Sequence, residues 1–168
     1  MSSLVIYSSL TGNTEKIAQA IYEEIKGEKT ICRVGESIEL KDYNTIFLGF
    51  WVDKGTATES IIEFLRNIHN KKVAIFATMG ARDKAYGEKI LSGMKKLIPE
   101  DNQIIGSFIC QGKIPMALKK RYEDALKKNP DDIHMKLQLE NHEQSQSHPD
   151  KQDIEDAKCF AREMIERI

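Results

Sequence analysis

The chain has 168 residues, 25 Lys+Arg against 26 Asp+Glu, a formal net charge of −1 and 40% apolar residues. That length supports one well-buried core without disulfide or metal staples, and the balanced charge excludes non-specific nucleic-acid binding, which needs clustered cations to displace counterions from phosphates. The longest apolar stretch, residues 46–52, is far below the ~20 residues that span a bilayer, and the amino terminus has neither the basic segment nor the cleavage pattern of a signal peptide, so a cytoplasmic protein is expected.

Short β-rich runs occur at residues 4–7, 30–34, 46–50, 73–77 and 104–110. Between the first two, Ile17, Ala18, Ile21, Tyr22 and Ile25 recur at three- and four-residue spacing, which predicts one apolar helix face. The same spacing predicts helices over 58–68, through Ile61, Ile62, Phe64 and Leu65, and over 86–97, through Ile90, Leu91, Met94 and Leu97. The run Ile46-Phe47-Leu48-Gly49-Phe50 is apolar at every position, as in a strand covered by helices on both sides. Alternating strands and helices of this kind build a doubly wound α/β parallel sheet. Ligands of such sheets sit at the carboxyl ends of the strands, which directs attention to residues 8–14, 51–58 and 78–85.

Beyond Cys110 the pattern changes. Residues 116–128 read as a helix with Leu118, Tyr122 and Leu126 on one face, stopped by Asn129-Pro130-Asp131. Residues 133–142 are ambiguous, because Ile133, Met135, Leu137 and Leu139 alternate like a strand in helix-compatible surroundings. A polar loop is expected over 144–149, after which Asp150 caps a last helix through Ile154, Ala157, Phe160, Ala161, Met164 and Ile165. Residues 112–128 carry six Lys/Arg against two acids, and from Asn129 onward ten acids face five bases. The segment is a solvated helix face or a basic docking face for an acidic partner.

The turn Tyr7-Ser8-Ser9-Leu10-Thr11-Gly12-Asn13-Thr14-Glu15 joins the first strand to the first helix without a Lys or Arg before Lys16. A helix start offers unpaired N–H groups and about half a positive charge, so it can hold a phosphate with no basic side chain. Gly12 permits the close turn, and the hydroxyls of Ser9, Thr11 and Thr14 can donate to the remaining oxygens. A Gly-x-Gly-x-x-Gly turn and a Lys-bearing P-loop are both absent. Tyr7 and Ser8 stand where a receiver-type site needs acids, and Met116 stands where a Cys-x5-Arg phosphatase loop starting at Cys110 needs Arg. A compact terminal monophosphate remains. Alternatively, the hydroxyls are an ordinary helix cap.

The stretch Val5-Ile6-Tyr7-Ser8-Ser9-Leu10-Thr11-Gly12-Asn13-Thr14-Glu15-Lys16-Ile17-Ala18 resembles the FMN phosphate signature of the flavodoxin family, and the order of elements agrees to about Gly112. The resemblance implies a flavodoxin-like five-stranded parallel sheet of order 2-1-3-4-5, helices on both faces, and FMN held at Ser9, Leu10, Thr11, Gly12, Asn13 and Thr14. Trp51, the only tryptophan, then either stacks on the flavin ring or is simply core. By the same resemblance, the segment around Val52, Lys54 and Gly55 holds a peptide whose carbonyl turns over to accept a hydrogen bond from flavin N5–H after one electron arrives; as a plain turn, Gly55 needs no such role. Thr78, Met79 and Gly80 correspond to the family's second flavin loop, with backbone groups for the ring's pyrimidine edge, and Tyr86 is a candidate second stacking aromatic. Arg82 either reaches a reduced flavin anion or is a surface charge.

Cys32, Cys110 and Cys159 are odd in number and never form a CxxC pair, so neither a disulfide framework nor a zinc ribbon is expected. Cys110 is redox-active or inert packing. His69, His134, His142 and His148 show no ligand spacing, and no metal is expected. His148-Pro149-Asp150 is read as the lead-in to the last helix.

The expected organisation is one flavodoxin-like domain over 1–168 with an added helical segment at about 113–148. The expected function is electron transfer through FMN between two redox partner proteins, a reductase and an acceptor enzyme. The alternatives are a flavin-dependent reductase of a small molecule, with 113–148 as its substrate pocket or lid, and a cofactor-free scaffold or regulatory protein on the same fold. The chain is nearly neutral where many flavodoxins are strongly acidic.

Overall fold

The computed structural model describes residues 2–168. Its elements follow in chain order as β1 (Ser3–Tyr7), α1 (Asn13–Glu24), β2 (Lys29–Arg33), β3 (Thr45–Trp51), α2 (Glu59–Arg66), β4 (Lys72–Met79), α3 (Lys84–Lys95), β5 (Gln103–Gln111), α4 (Met116–Lys128), α5 (Ile133–Ser145) and α6 (Lys151–Glu166). The five strands form one parallel sheet of order β2-β1-β3-β4-β5, as the resemblance implied. The chain runs from β1 outward to β2 and then returns to β3 on the other side of β1, so the switch point lies between β1 and β3.

Period-two alternation explains why the inner strands are apolar throughout. Leu4, Ile6, Leu48 and Ile75 face one cluster with Ile61 and Leu65 of α2 and Ile90, Leu91 and Met94 of α3. Val5, Phe47 and Phe76 face a second cluster with Ile17, Ala18 and Ile21 of α1 and Ala157, Phe160 and Ala161 of α6. Each central strand is thus buried on both faces.

Several boundaries differ from those the sequence suggested. β3 extends to Trp51 and β4 to Met79, so Trp51, Thr78 and Met79 end strands rather than open loops, and sheet hydrogen bonds hold their backbones. Residues 133–142 are helical, and α5 runs on to Ser145 into the expected loop. Asp132 accepts from the N–H of Met135 at 3.0 Å, a cap that fixes helix over the strand-like alternation. Asp150 caps α6 as expected, in a reciprocal pair with Asp153 (2.9 and 2.8 Å).

α4 and α5 pack on one another after β5, and α4 has no buried residue. Their two ends meet at one place: Ile114 N–H donates to Ser145 Oγ at 2.9 Å, and Gln146 Nε2 donates to the Ile114 carbonyl at 3.1 Å. The hairpin is therefore pinned to the exit of β5, at the same end of the sheet as the β1 and β3 exits.

At the sheet's centre, Gly49 of β3 lies beside Phe76 of β4, and a Cβ at 49 would sit 2.2 Å from the Phe76 ring. Phe76 is fully buried and has nowhere to move. Gly49→Ala is expected to lower stability by about 1–3 kcal/mol through overpacking, measured as a lower urea midpoint at unchanged slope.

Candidate functional site

The turn after β1 leaves the sheet once Ser8 N–H has donated to the Gly49 carbonyl at 2.9 Å. Gly12 precedes α1 with φ of 87°, a left-handed conformation that glycine adopts freely. Ser9 Oγ accepts from the N–H of Gly12 at 3.1 Å and of Glu15 at 3.4 Å. Among the described residues, the N–H groups of Leu10, Thr11, Asn13 and Thr14 have no acceptor within the protein. Unpaired main-chain donors concentrated at a helix start form an anion site.

Side chains brace this turn. Thr14 is fully buried and its Oγ1 shares a 2.9 Å hydrogen bond with Thr78 Oγ1, tying α1 to the end of β4. The hydroxyl expected to face a ligand is thus taken up beneath the turn, and the main-chain N–H is the donor Thr14 has left over. Asn13 Nδ2 donates to Thr11 Oγ1 at 3.1 Å and to the Lys113 carbonyl at 3.0 Å, linking the turn to the exit of β5. Glu15, the acid in the first helical turn, would repel an anion there. Its carboxylate instead accepts from Tyr7 Oη and from Arg33, both at 2.8 Å. The Tyr7 hydroxyl and then the Arg33 guanidinium hold that carboxyl below the usual range.

After β3, Asp53 and Thr56 exchange main-chain hydrogen bonds of 2.8 and 3.0 Å. Between them Lys54 and Gly55 have φ of 49° and 85°, the two left-handed residues of a type I′ turn. The peptide joining Lys54 and Gly55 has no hydrogen bond of its own within the described protein. Tyr86 Oη lies 3.0 Å from where a Cβ at 55 would be, so the tyrosine hangs over this turn. Asp83 caps α3 by accepting from Tyr86 N–H at 3.0 Å, which fixes where that ring starts.

After β4, the Met79 carbonyl accepts from Gly112 N–H at 2.8 Å and the Gly80 carbonyl from Gln111 Nε2 at 2.9 Å. Of the backbone groups expected to meet a ligand here, both carbonyls are thus engaged within the protein, leaving the N–H groups of Gly80 and Ala81, which have no acceptor within the described protein. Arg82 is an exposed surface residue and does not line the cavity these turns enclose.

The three turns surround a cavity of about 570 Å³ at the carboxyl ends of the strands. Leu10, Thr11, Asn13, Trp51, Val52, Lys54, Gly55, Thr78, Met79, Gly80 and Tyr86 line it, whereas Ser9, Gly12 and Thr14 do not. The opposite wall comes from α4 and α5, through Leu118, Arg121, Tyr122, His134, Met135 and Gln138, with Asp53, Lys113 and Ile114 at the rim. The reductase alternative expects residues 113–148 as a pocket or lid, but helical period says nothing about which distant turn a helix will face, so the sequence does not single out these residues. Lys54, Lys113 and Arg121 line the cavity against one acid, Asp53.

A second concavity of about 620 Å³ borders β5 and includes Cys110, His148 and Asp153. Cys110 is buried, and burial first, then the charges of nearby aspartates, push its thiol far above the usual range. His148, Asp150 and Asp153 bring ligand atoms within 4.8 Å of one another, a grouping the histidine spacing did not suggest. Its carboxylates are the two halves of the α6 cap, and His148 Nδ1 lies 2.6 Å from Asp153 Oδ2.

A family model described as a flavodoxin domain matches residues 4–162. The chain is 53% identical over 98% of its length, and 97% of the other's, to a flavodoxin-like domain-containing protein BilS of Clostridioides difficile (strain CD3). Oxidised flavodoxin 2 from Bacillus cereus superposes with a TM-score of 0.64 at 19% identity, covering 100% of both chains. A Lactobacillus acidophilus flavoprotein solved in complex with FMN superposes with a TM-score of 0.52 at 18% identity, over 64% of this chain and 92% of that one.

Ellman's reagent distinguishes the three thiols. Cys159 is exposed, whereas Cys32 and Cys110 are buried, and burial pushes the Cys32 thiol up to about 11. Only the thiolate reacts, so the native protein at pH 8 is expected to titrate rapidly at Cys159 alone and the urea-unfolded chain at all three; fast labelling of native Cys110 would restore a redox role for it.

Proposed function

This chain belongs to the flavodoxin domain family, and on that premise we propose that it binds FMN non-covalently and carries electrons between a reductase and an acceptor enzyme. The observation that carries the reading is the set of unpaired N–H groups in the turn before α1: those of Leu10, Thr11 and Asn13, whose residues line the cavity, and that of Thr14 behind them. A terminal phosphate supplies acceptors to all of them at the positive end of α1. FMN supplies the redox chemistry once bound; the protein supplies position, exclusion of water and electrostatics.

Each residue then has a defined task. Ser9 and Gly12 shape the phosphate turn, and Thr14 anchors it to Thr78. The turn needs no lysine, because main-chain donors and the helix dipole do the holding. Trp51 and Tyr86 line the cavity, and their rings shield a flat ring from water. The N–H groups of Gly80 and Ala81 suit acceptors on the ring's pyrimidine edge. A carrier of this kind needs no side chain as an acid–base catalyst. No helix among the described residues is long and apolar enough to cross a membrane. The carrier proposed here is a single flavodoxin-like domain working in the cytoplasm.

A second reading, a flavin-dependent reductase of a small molecule, is favoured by one observation: Arg121, Tyr122 and His134 of α4 and α5 wall the same cavity and can line a substrate pocket.

The tests are uptake and titration. Apoprotein is expected to take up one FMN with the appearance of visible absorption, and to bind riboflavin at least about tenfold more weakly, since the loss of even one charged hydrogen bond costs that much. Equal affinity for the two ligands would remove the phosphate site. In an anaerobic titration, a one-electron stage with long-wavelength absorption supports the carrier, and direct two-electron bleaching supports the reductase. The second reduction step is expected at a less negative potential than in acidic flavodoxins, because Lys54, Lys113 and Arg121 favour added negative charge; a potential as low as theirs would contradict this.

A further inference from the structure

We propose that α4 is the docking ridge for an acidic redox protein, received beside the cavity mouth; the inference rests on the carrier reading and adds to it the chemistry of the partner. The ridge is cationic in a chain whose net charge is −1. On α4, Lys119 lies 3.8 Å from Glu123 and Lys127 lies 2.9 Å from Asp124. Lys113, Lys120, Arg121 and Lys128 have no carboxylate within 4.0 Å among the described residues. Arg121 and Lys128 are seven residues apart and share one stripe of the helix, as do Lys120 and Lys127. Lys113 and Arg121 also line the cavity, so the ridge begins at its rim and runs outward. The hydrogen bond from Lys127 first, and then the charges of Lys127, Lys120 and Lys128, hold the Asp124 carboxyl below the usual range.

Packing supports the same assignment. A helix that caps a sheet buries an apolar face, and α4 has no buried residue. The hairpin instead exposes large apolar side chains: Met116 is 61% exposed, Ile133 81% and Leu137 50%. Exposed apolar side chains on the same hairpin as unpaired cations match a protein interface, in which charge guides the approach and apolar contact holds the pair. The remaining acidic macromolecule, nucleic acid, is read by cations interleaved with stacking aromatics, and α4 has a single aromatic, Tyr122, which faces the cavity.

The experiment uses fluorescently labelled poly-L-glutamate as the acidic probe, followed by anisotropy at low and at physiological salt. It compares the full chain with Lys120→Glu/Lys128→Glu and with Lys26→Glu/Lys96→Glu, which makes the same charge change elsewhere on the surface. Wild type and Lys26→Glu/Lys96→Glu are expected to bind alike, Lys120→Glu/Lys128→Glu at least about tenfold more weakly at low salt, with binding weakening as salt shortens the screening length. Equal loss in both double variants, no loss in Lys120→Glu/Lys128→Glu, or tighter binding of a single-stranded oligonucleotide of equal charge overturns the proposal. FMN retention is read in the same samples by visible absorption. A chain that retains no FMN but binds polyglutamate through α4 overturns the carrier reading while supporting the acidic-partner surface.

Discussion

Main-chain N–H groups that a fold cannot pair internally must find an acceptor elsewhere, and the turn between β1 and α1 has four of them in five residues. The rest of the site is arranged around that constraint. Gly12 adopts a left-handed conformation so that the turn can close. Ser9 satisfies two amides and leaves the others open. Tyr7 and Arg33 engage Glu15, whose charge would otherwise work against any anion held there. Asn13 and Thr14 fasten the turn to β5 and β4, so the donors are fixed in place before a ligand arrives.

The sheet supplies the second requirement, a floor at the switch point. Because β1 and β3 are neighbours although β2 lies between them in sequence, the exits of β1 and β3 diverge and leave a crevice between their turns. Trp51, Thr78 and Met79 belong to strand ends and are positioned by sheet hydrogen bonds, which is a firmer placement than a loop affords. The type I′ turn at Lys54-Gly55 is the contrasting element. Its ends are locked by the Asp53–Thr56 pair, while its central peptide is unpaired within the described protein.

The α4–α5 hairpin gives this member of the flavodoxin family a cavity wall and a charge of its own. It hangs from the β5 exit through the hydrogen bonds of Ile114, Ser145 and Gln146, so its orientation over the cavity is set at one point. Near-neutrality of the whole chain conceals a separation of charge, with cations gathered on α4 beside the site and acids in excess through the carboxyl-terminal part.

Local patterns alone determined the alternation of strands and helices, the double-sided burial of β3, the place of the hydroxyl-rich turn between β1 and α1 and the Asp150 cap, because each depends on residues within a few positions of one another. The resemblance carried by residues 5–18 supplied the strand order. Local pattern was ambiguous where alternation competes with a cap, as in α5, whose Asp132 caps a helix over Ile133, Met135, Leu137 and Leu139. Contacts across long stretches of chain were decided only by the tertiary structure: Thr14 with Thr78, Asn13 with Lys113, Gln111 with the Gly80 carbonyl, and Arg121 and His134 across the cavity from Trp51. Side-chain periodicity records which face of an element is buried, but which groups are already satisfied, and so which remain for a ligand, depends on neighbours that only the packed sheet brings together.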